Sequence, residues 1–305
     1  MADELPETIL EKAAASGDVS ALKELVGGGD CVFALSEEAS VALCIAAEQG
    51  HWDAVQYLVT GAGVHVSSDD SGGTVLQLAA VAGRLDAMEM LIAAGANICS
   101  ARVAPRVLLS SAATGKLDIL RFAICQRIDV ATYGYAAAQS AAKSAHWDSV
   151  EILIDAGANL TEQGLGAQLM AHAAAQNQVA VLALLQTRGV AIDSDAGVLA
   201  LSTLASTQEW DLCADAVRYL VSEGVNTRSE AGTKTFVIAA ICGDLELVKN
   251  LVESGVDLES GPAQEAMARA GELGAPDSSA AIVEYLKGLG MPEPEMPKLG
   301  LDEDF

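Results

Sequence analysis

The side chains of this 305-residue chain best suited to metal or nucleophilic chemistry are four histidines and six cysteines. Metal ligation needs such groups at short fixed spacings, as in Cys-x-x-Cys or His-x-x-x-His, so that one turn presents them together. The four histidines are His51, His65, His146 and His172, and no two of them fall within a single helical turn. The nearest cysteines, Cys31 and Cys44, are too widely separated as well. Phosphate cradles fare no better. Gly115-Lys116 is followed by Leu117 and has no glycine five positions earlier, so the P-loop pattern fails. The pairs Gly61/Gly63 and Gly164/Gly166 lack the third glycine of a dinucleotide loop, and no Gly-x-Ser-x-Gly elbow occurs. The expectation is a non-enzyme with no catalytic, cofactor-binding or metal-binding residues.

Composition narrows the remaining classes. With 42 acidic against 17 basic residues the formal charge is −25, which disfavours binding to a phosphate backbone. Half of the residues are apolar and only 19% are charged, so the chain can bury a core and is not a disordered one. Scattered cysteines suit a reducing compartment. The acidic start Asp3-Glu4-Leu5-Pro6-Glu7 has neither signal-peptide nor transit-peptide character. The longest uncharged run, residues 163–187, contains Gln168, His172, Gln176 and Asn177, which hydrocarbon would not solvate. These features lead to an expectation of a cytoplasmic or nuclear protein that does not insert into a membrane.

The elements that position the surface come from a repeat. Segments of the form Gly-x-apolar-Asp/Glu/Ser start at Gly17, Gly50, Gly83, Gly115 and Gly243, with weaker copies at Ala145, Asn177, Gln208 and Gly271. The spacing averages about 32 residues, a period characteristic of solenoid arrays. Three positions before each start stands an alanine, from Ala14 to Ala268. A methyl group recurring at one register marks a close helix crossing. Each unit reads as two helices: Leu76, Ala79 and Ala80 form the stripe of a short first helix, which Gly83 ends. Leu85, Met88, Leu91 and Ile92 form the buried side of a second helix that closes at Ala94-Gly95-Ala96-Asn97.

On the Leu-x-x-Ala-Ala-x-x-Gly segments at Leu76 to Gly83 and Leu43 to Gly50, and the Ala-Gly-Ala-Asn endings, the chain resembles the ankyrin-repeat family. That resemblance implies an all-α, ankyrin-type α-solenoid of about nine helix-turn-helix repeats, each of about 32 residues. It spans residues 6–291 as one domain, with capping units at 6–34 and 262–291 and a flexible, Pro-rich acidic tail at 292–305. The family's Thr-Pro-Leu-His tetrapeptide is missing and only Thr74 remains of it, so the fingers between units are expected to diverge from regular hairpins. Trp52, Trp147 and Trp210 share one slot, read as a core position, and the cysteines are read as small buried groups. Trp210 to Tyr219 is four residues longer than Trp52 to Tyr57, which predicts about one extra helical turn in the seventh unit. In the ninth unit, residues 273–279 are expected to form a loop before a last helix over 280–286.

In this family the fingers and first helices line a concave face that binds partners. The fingers hold twelve acids against three bases, an edge that would steer a basic segment. Candidate contact residues are Glu37, Glu38, Asp69, Asp70, Glu162, Asp193 and Asp195, together with Glu48 and the neutral Tyr133 and Tyr135. The expected function is a non-catalytic scaffold or adaptor for a protein partner, a basic one where it meets those acids, the free chain being a monomer. The alternative is a permanent structural subunit of a larger complex.

Overall fold

The computed structural model describes residues 9–26, 37–161, 164–206, 210–264, 266 and 276–291, with the side chains of 210–212 and 276–279 left aside. Among the described residues every regular element is helical and no strand occurs. They divide into two compact units, residues 1–162 and 163–305.

In the first unit five helix pairs follow one another. They are α1 Ile9–Ser16 with α2 Val19–Val26, α3 Glu37–Glu48 with α4 Trp52–Gln56, α5 Ser71–Ala82 with α6 Leu85–Ala93, α7 Ala104–Ala113 with α8 Leu117–Cys125, and α9 Val130–Lys143 with α10 Trp147–Asp155. First helices pack on first helices, α1 to α3 to α5 to α7 to α9, and second helices on second helices. The second unit holds α11 Leu165–Ala175 with α12 Val179–Thr187, α13 Asp195–Leu204 with α14 Trp210–Ser222, α15 Glu230–Cys242 with α16 Leu245–Glu253, and the final α17 Pro276–Gly288. Within it α11, α13 and α15 stack in turn, as do α12, α14, α16 and α17.

The alanine register explains the stacking. Ala14, Ala47, Ala80, Ala112, Ala142, Ala174 and Ala240 are all buried, each where a larger side chain would hold two helices apart. Ala205 is only half-buried, because α13 ends one residue earlier at Leu204; Ala268 lies outside the described residues. A second small position emerges only in the structure. Gly72, Gly197 and Gly232 occupy equivalent places at the start of α5, α13 and α15. A β-carbon there would lie 1.8 Å from the Val66 carbonyl oxygen, 1.8 Å from that of Ile192 and 2.0 Å from that of Thr227. The finger folds back so tightly on the next helix that its backbone takes the place of a side chain.

The turn between paired helices uses the left-handed region in every unit whose turn is described. Gly17, Gly50, Gly83, Gly115 and Gly243 adopt positive φ there, and so do the non-glycine residues Ala145 (60°) and Asn177 (55°). Those last two are the weaker copies of the sequence pattern. They keep the conformation at a cost of roughly 1 kcal/mol for a β-carbon in that region.

Among the described residues the fingers lack hairpins, as expected, and are tied from within. Asn97, Asn159, Asn226 and Asp257 each accept the backbone amide two residues ahead, at 3.1, 3.1, 3.2 and 3.0 Å. Such Asx turns mimic a backbone turn and need no Thr-Pro-Leu-His.

Three expectations are corrected. The tryptophan slot is a lip rather than a core position: Trp147 is buried, but Trp52 and the equivalent Leu85, Leu117, Val179 and Leu245 are half-buried, since each starts its helix at the edge of the stack. The Trp210 side chain lies outside the description. The cysteines are not uniformly buried: Cys213 is, Cys44 is half-buried, and Cys99, Cys125 and Cys242 are exposed. The last helix begins at Pro276, not after it, because proline is well suited to a first helical turn. The extra turn in the seventh unit is present: α14 has 13 residues where α12 and α16 have nine. Second helix α4 also differs, continuing as a five-residue π segment, Tyr57–Gly61, in which the Ala62 amide reaches back to the Tyr57 carbonyl at 2.9 Å.

Candidate interaction surface

The first helices turn one face outward at a fixed register. In the first unit that face includes Glu37, Val41, Ile45 and Glu48 of α3, Thr74, Leu78 and Val81 of α5 with Asp70 just before it, and Arg106 and Leu109 of α7 with Arg102 in the finger before it. Val41, Val81 and Leu109 are 39%, 45% and 38% exposed, unusual for side chains of their size within packed helices. Glu37 and Asp70 stand at the finger side, Glu48 at the other end of α3, and the apolar residues along the helices. In the second unit the same face carries Gln168 and His172, then Asp195 and Leu199 (44% exposed), then Glu230, Val237, Ile238 and Ile241, its acids confined to the finger end. Its lysine, Lys234, pairs with Glu230 at 2.7 Å.

Of the expected contact residues, Glu37, Glu38, Glu48 and Asp70 are exposed, Asp69 is half-buried, and Tyr133 and Tyr135 are half-buried at the start of α9. Asp193 and Asp195 are exposed in the second unit, and Glu162 lies outside the described residues. They are divided between the two units. Arginines also temper the acids. Arg102 pairs with Asp70 at 2.8 Å, and Arg106, just beyond the finger, donates to the Asp69 carbonyl at 3.3 Å. Both partners of the first pair are well exposed, so the pair itself adds little stability.

Other finger acids serve the backbone. Asp129 caps α9, accepting from the Thr132 amide at 3.2 Å and its hydroxyl at 2.6 Å; those bonds, the hydroxyl first, hold its carboxyl below the usual range. Asp257 closes its own turn. The Glu230 carboxyl is likewise lowered by its bond to Lys234. The sequence count of twelve acids therefore overstates the charge free to meet a partner. What the sequence alone leaves unseen is the exposure of Val41, Val81 and Leu109 in the first unit and, separately, of Leu199 in the second; they occupy three different repeat positions, so the pattern does not mark them.

Among the described residues no three His, Cys, Asp or Glu side chains gather as a metal site would need, and no helix is long and apolar enough to cross a membrane.

Stacked helix pairs with short connections and, among the described residues, no sheet define an all-α solenoid built from helical repeats. Residues 10–102 match a family model of ankyrin repeats in three copies. The crystal structure of the human ASB11 ankyrin repeat domain is similar over 71% of this chain and 98% of that one, with a TM-score of 0.54 at 20% identity, a likeness of fold. No curated protein matches the chain. Residues 10–102 are thus ankyrin repeats, and the chain has the fold of an ankyrin-repeat solenoid. Repeats of this kind generally mediate contact between proteins and are typically non-catalytic.

Proposed function

We propose that the chain is a non-catalytic scaffold that binds a protein partner across the first-helix and finger face of its first unit. The observation that carries this reading is the exposed row Val41, Val81 and Leu109, edged by Glu37, Glu38 and Glu48. An apolar centre with a charged rim is the composition of a recognition surface, and a preformed helical stack binds without a large ordering penalty. The partner segment is apolar where it meets the helices and basic where it meets Glu37 and Glu38.

The alternative, a permanent subunit, is favoured by one observation: the apolar stretch Leu199, Val237 and Ile238 on the face of the second unit, which suits a salt-resistant contact. A capture experiment from cell extract at low and high salt separates the two, run with the native chain and with Val81→Asp/Leu109→Asp and Leu199→Asp variants. Loss of the retained protein in the double variant and at high salt supports the scaffold. Retention at high salt that depends on Leu199 supports the subunit, and retention indifferent to all three substitutions overturns both.

A further inference from the structure

Among the described residues three arginines are half-buried: Arg84, Arg106 and Arg218. A guanidinium that has given up part of its water shell needs an opposite charge to offset the loss. Arg84 meets Asp86 at 2.6 Å, and Arg218 meets Asp244 at 2.6 Å and Asp215 at 3.2 Å. Arg106 meets no carboxylate among the described residues. Its Nη2 donates only to the Asp69 carbonyl at 3.3 Å, and its buried Nε has no hydrogen-bond partner. The Arg218 Nε is unbonded too, but there the charge itself is met twice.

Arg106 occupies a definite place on the first-helix face. Its guanidinium lies against Gly73 of α5, where a β-carbon would stand 3.1 Å from Nη2 and 2.5 Å from the Val103 side chain. Leu109, 38% exposed, follows three residues later on the same side of α7. Aligned on Ala47, Ala80 and Ala112, the residues Val41, Thr74 and Arg106 share one register on α3, α5 and α7, and Glu37, Asp70 and Arg102 share another. Arg102 and Asp70 offset each other at 2.8 Å. The exposed Glu37 and Glu38 form no ion pair among the described residues. The unmatched charges of this face are therefore negative on α3 and positive on α7.

Given that the first-helix face binds the partner, we propose that Arg106 receives a carboxylate of the partner segment. That contact sets the direction of crossing, with the basic end of the segment over α3 and its acidic end over α7. The partner's carboxylate supplies the counter-charge that this chain does not, through a charge-assisted hydrogen bond. Since α3 packs on α5 and α5 on α7, two steps of 8–10 Å separate the ends, roughly the reach of five or six extended residues. A phosphate backbone is a poor occupant, because Glu37, Glu38 and Glu48 stand exposed on α3.

A displayed library of random peptides of about twelve residues, selected on the full chain, supplies the probes. Enriched peptides are expected to carry Lys or Arg about five or six residues from Asp or Glu, and to bind Val81→Asp/Leu109→Asp about tenfold or more weakly. Changing the peptide's acid to its amide should weaken binding to the native chain about tenfold, but to Arg106→Gln less than about twofold, the partner charge being already gone. Glu37→Lys/Glu38→Lys should abolish the preference for a basic end and leave the amide effect in place. Peptides that depend on Val81 and Leu109 yet tolerate the amide, or that lose equally on the native chain and on Arg106→Gln, overturn the role of Arg106 and leave the first-helix face standing. Peptides indifferent to Val81→Asp/Leu109→Asp, or no enrichment, overturn both. The amide comparison on the native chain needs no variant to fold.

Discussion

The Asn177 side-chain oxygen accepts the backbone amide of Ala216 at 2.8 Å, across 39 residues of chain. Asn177 adopts a left-handed conformation at the turn between α11 and α12, and Ala216 lies inside the long helix α14. The same helix is anchored again where the Cys213 thiol reaches the Ala175 carbonyl at 3.2 Å. One residue thus makes a turn usually given to glycine and also receives the extra length of the neighbouring helix.

Two glycine substitutions at this register should have opposite signs. Ala145→Gly relieves a β-carbon in the left-handed region but adds freedom to the unfolded chain, so a net gain of about 0.5 kcal/mol is expected. Asn177→Gly relieves less, because asparagine tolerates the region, and it removes the hydrogen bond to the Ala216 amide. A net loss of about 1 kcal/mol follows. Urea denaturation of both variants checks the pair, and equal signs would contradict the assignment.

Gly197→Ala and Gly232→Ala each place a methyl within 1.8 and 2.0 Å of a finger carbonyl oxygen. Backbone must move to admit it, and a loss of about 2 kcal/mol or more is expected for each. Ala39 holds the equivalent position in α3, fully buried, so Ala39→Gly serves as a comparison without collision. A stability scan that ranks Gly232→Ala no worse than Ala39→Gly would argue against the close approach.

The cysteines should label in order of exposure and ionisation. Burial, and secondarily the Glu48 carboxylate, push the Cys44 thiol up, and the group is only half-exposed. Cys213 is buried outright. At pH 8 both should react about tenfold or more slowly than Cys125 and Cys242, because the thiolate is the nucleophile. Glu48→Gln should quicken Cys44 only slightly, burial being the larger cause.

Arg84 holds the Asp86 carboxyl at about 2, down from the ordinary 3.8, chiefly through their hydrogen bonds of 2.9 and 2.6 Å. A carboxylate lowered on folding contributes above its unfolded value and loses that contribution as pH falls from about 3.8 toward 2. The pair is substantially exposed, so its weight in overall stability is small. Arg84→Gln should return the Asp86 midpoint toward 3.8, a shift that carbon-detected NMR titration would show directly.

The helix pairs were legible because their cause is periodic: methyl-sized residues at Ala14 through Ala240 repeat where helices cross. The longer α14 was legible too, as four residues inserted between Trp210 and Tyr219. Less could be read where the cause is tertiary. Gly72 and Gly197 look like ordinary loop glycines until the carbonyl that crosses them is in place. Finger acids counted as one strip resolve into a cap at Asp129, a turn at Asp257 and an ion pair at Asp70.

Asn97, Asn159, Asn226 and Asp257 each close a turn inside their own connection, while Cys99, Arg102 and Thr227 tie two of those connections to neighbouring repeats at the Gln126 carbonyl, Asp70 and the Ser254 carbonyl. The turn at the heart of such a finger is self-contained even where its flanks are tied to a neighbour. Its tip can be rewritten, lengthened or exchanged with that of another repeat while the helices beneath keep their spacing, so new specificity can arise there without the fold having to be solved again.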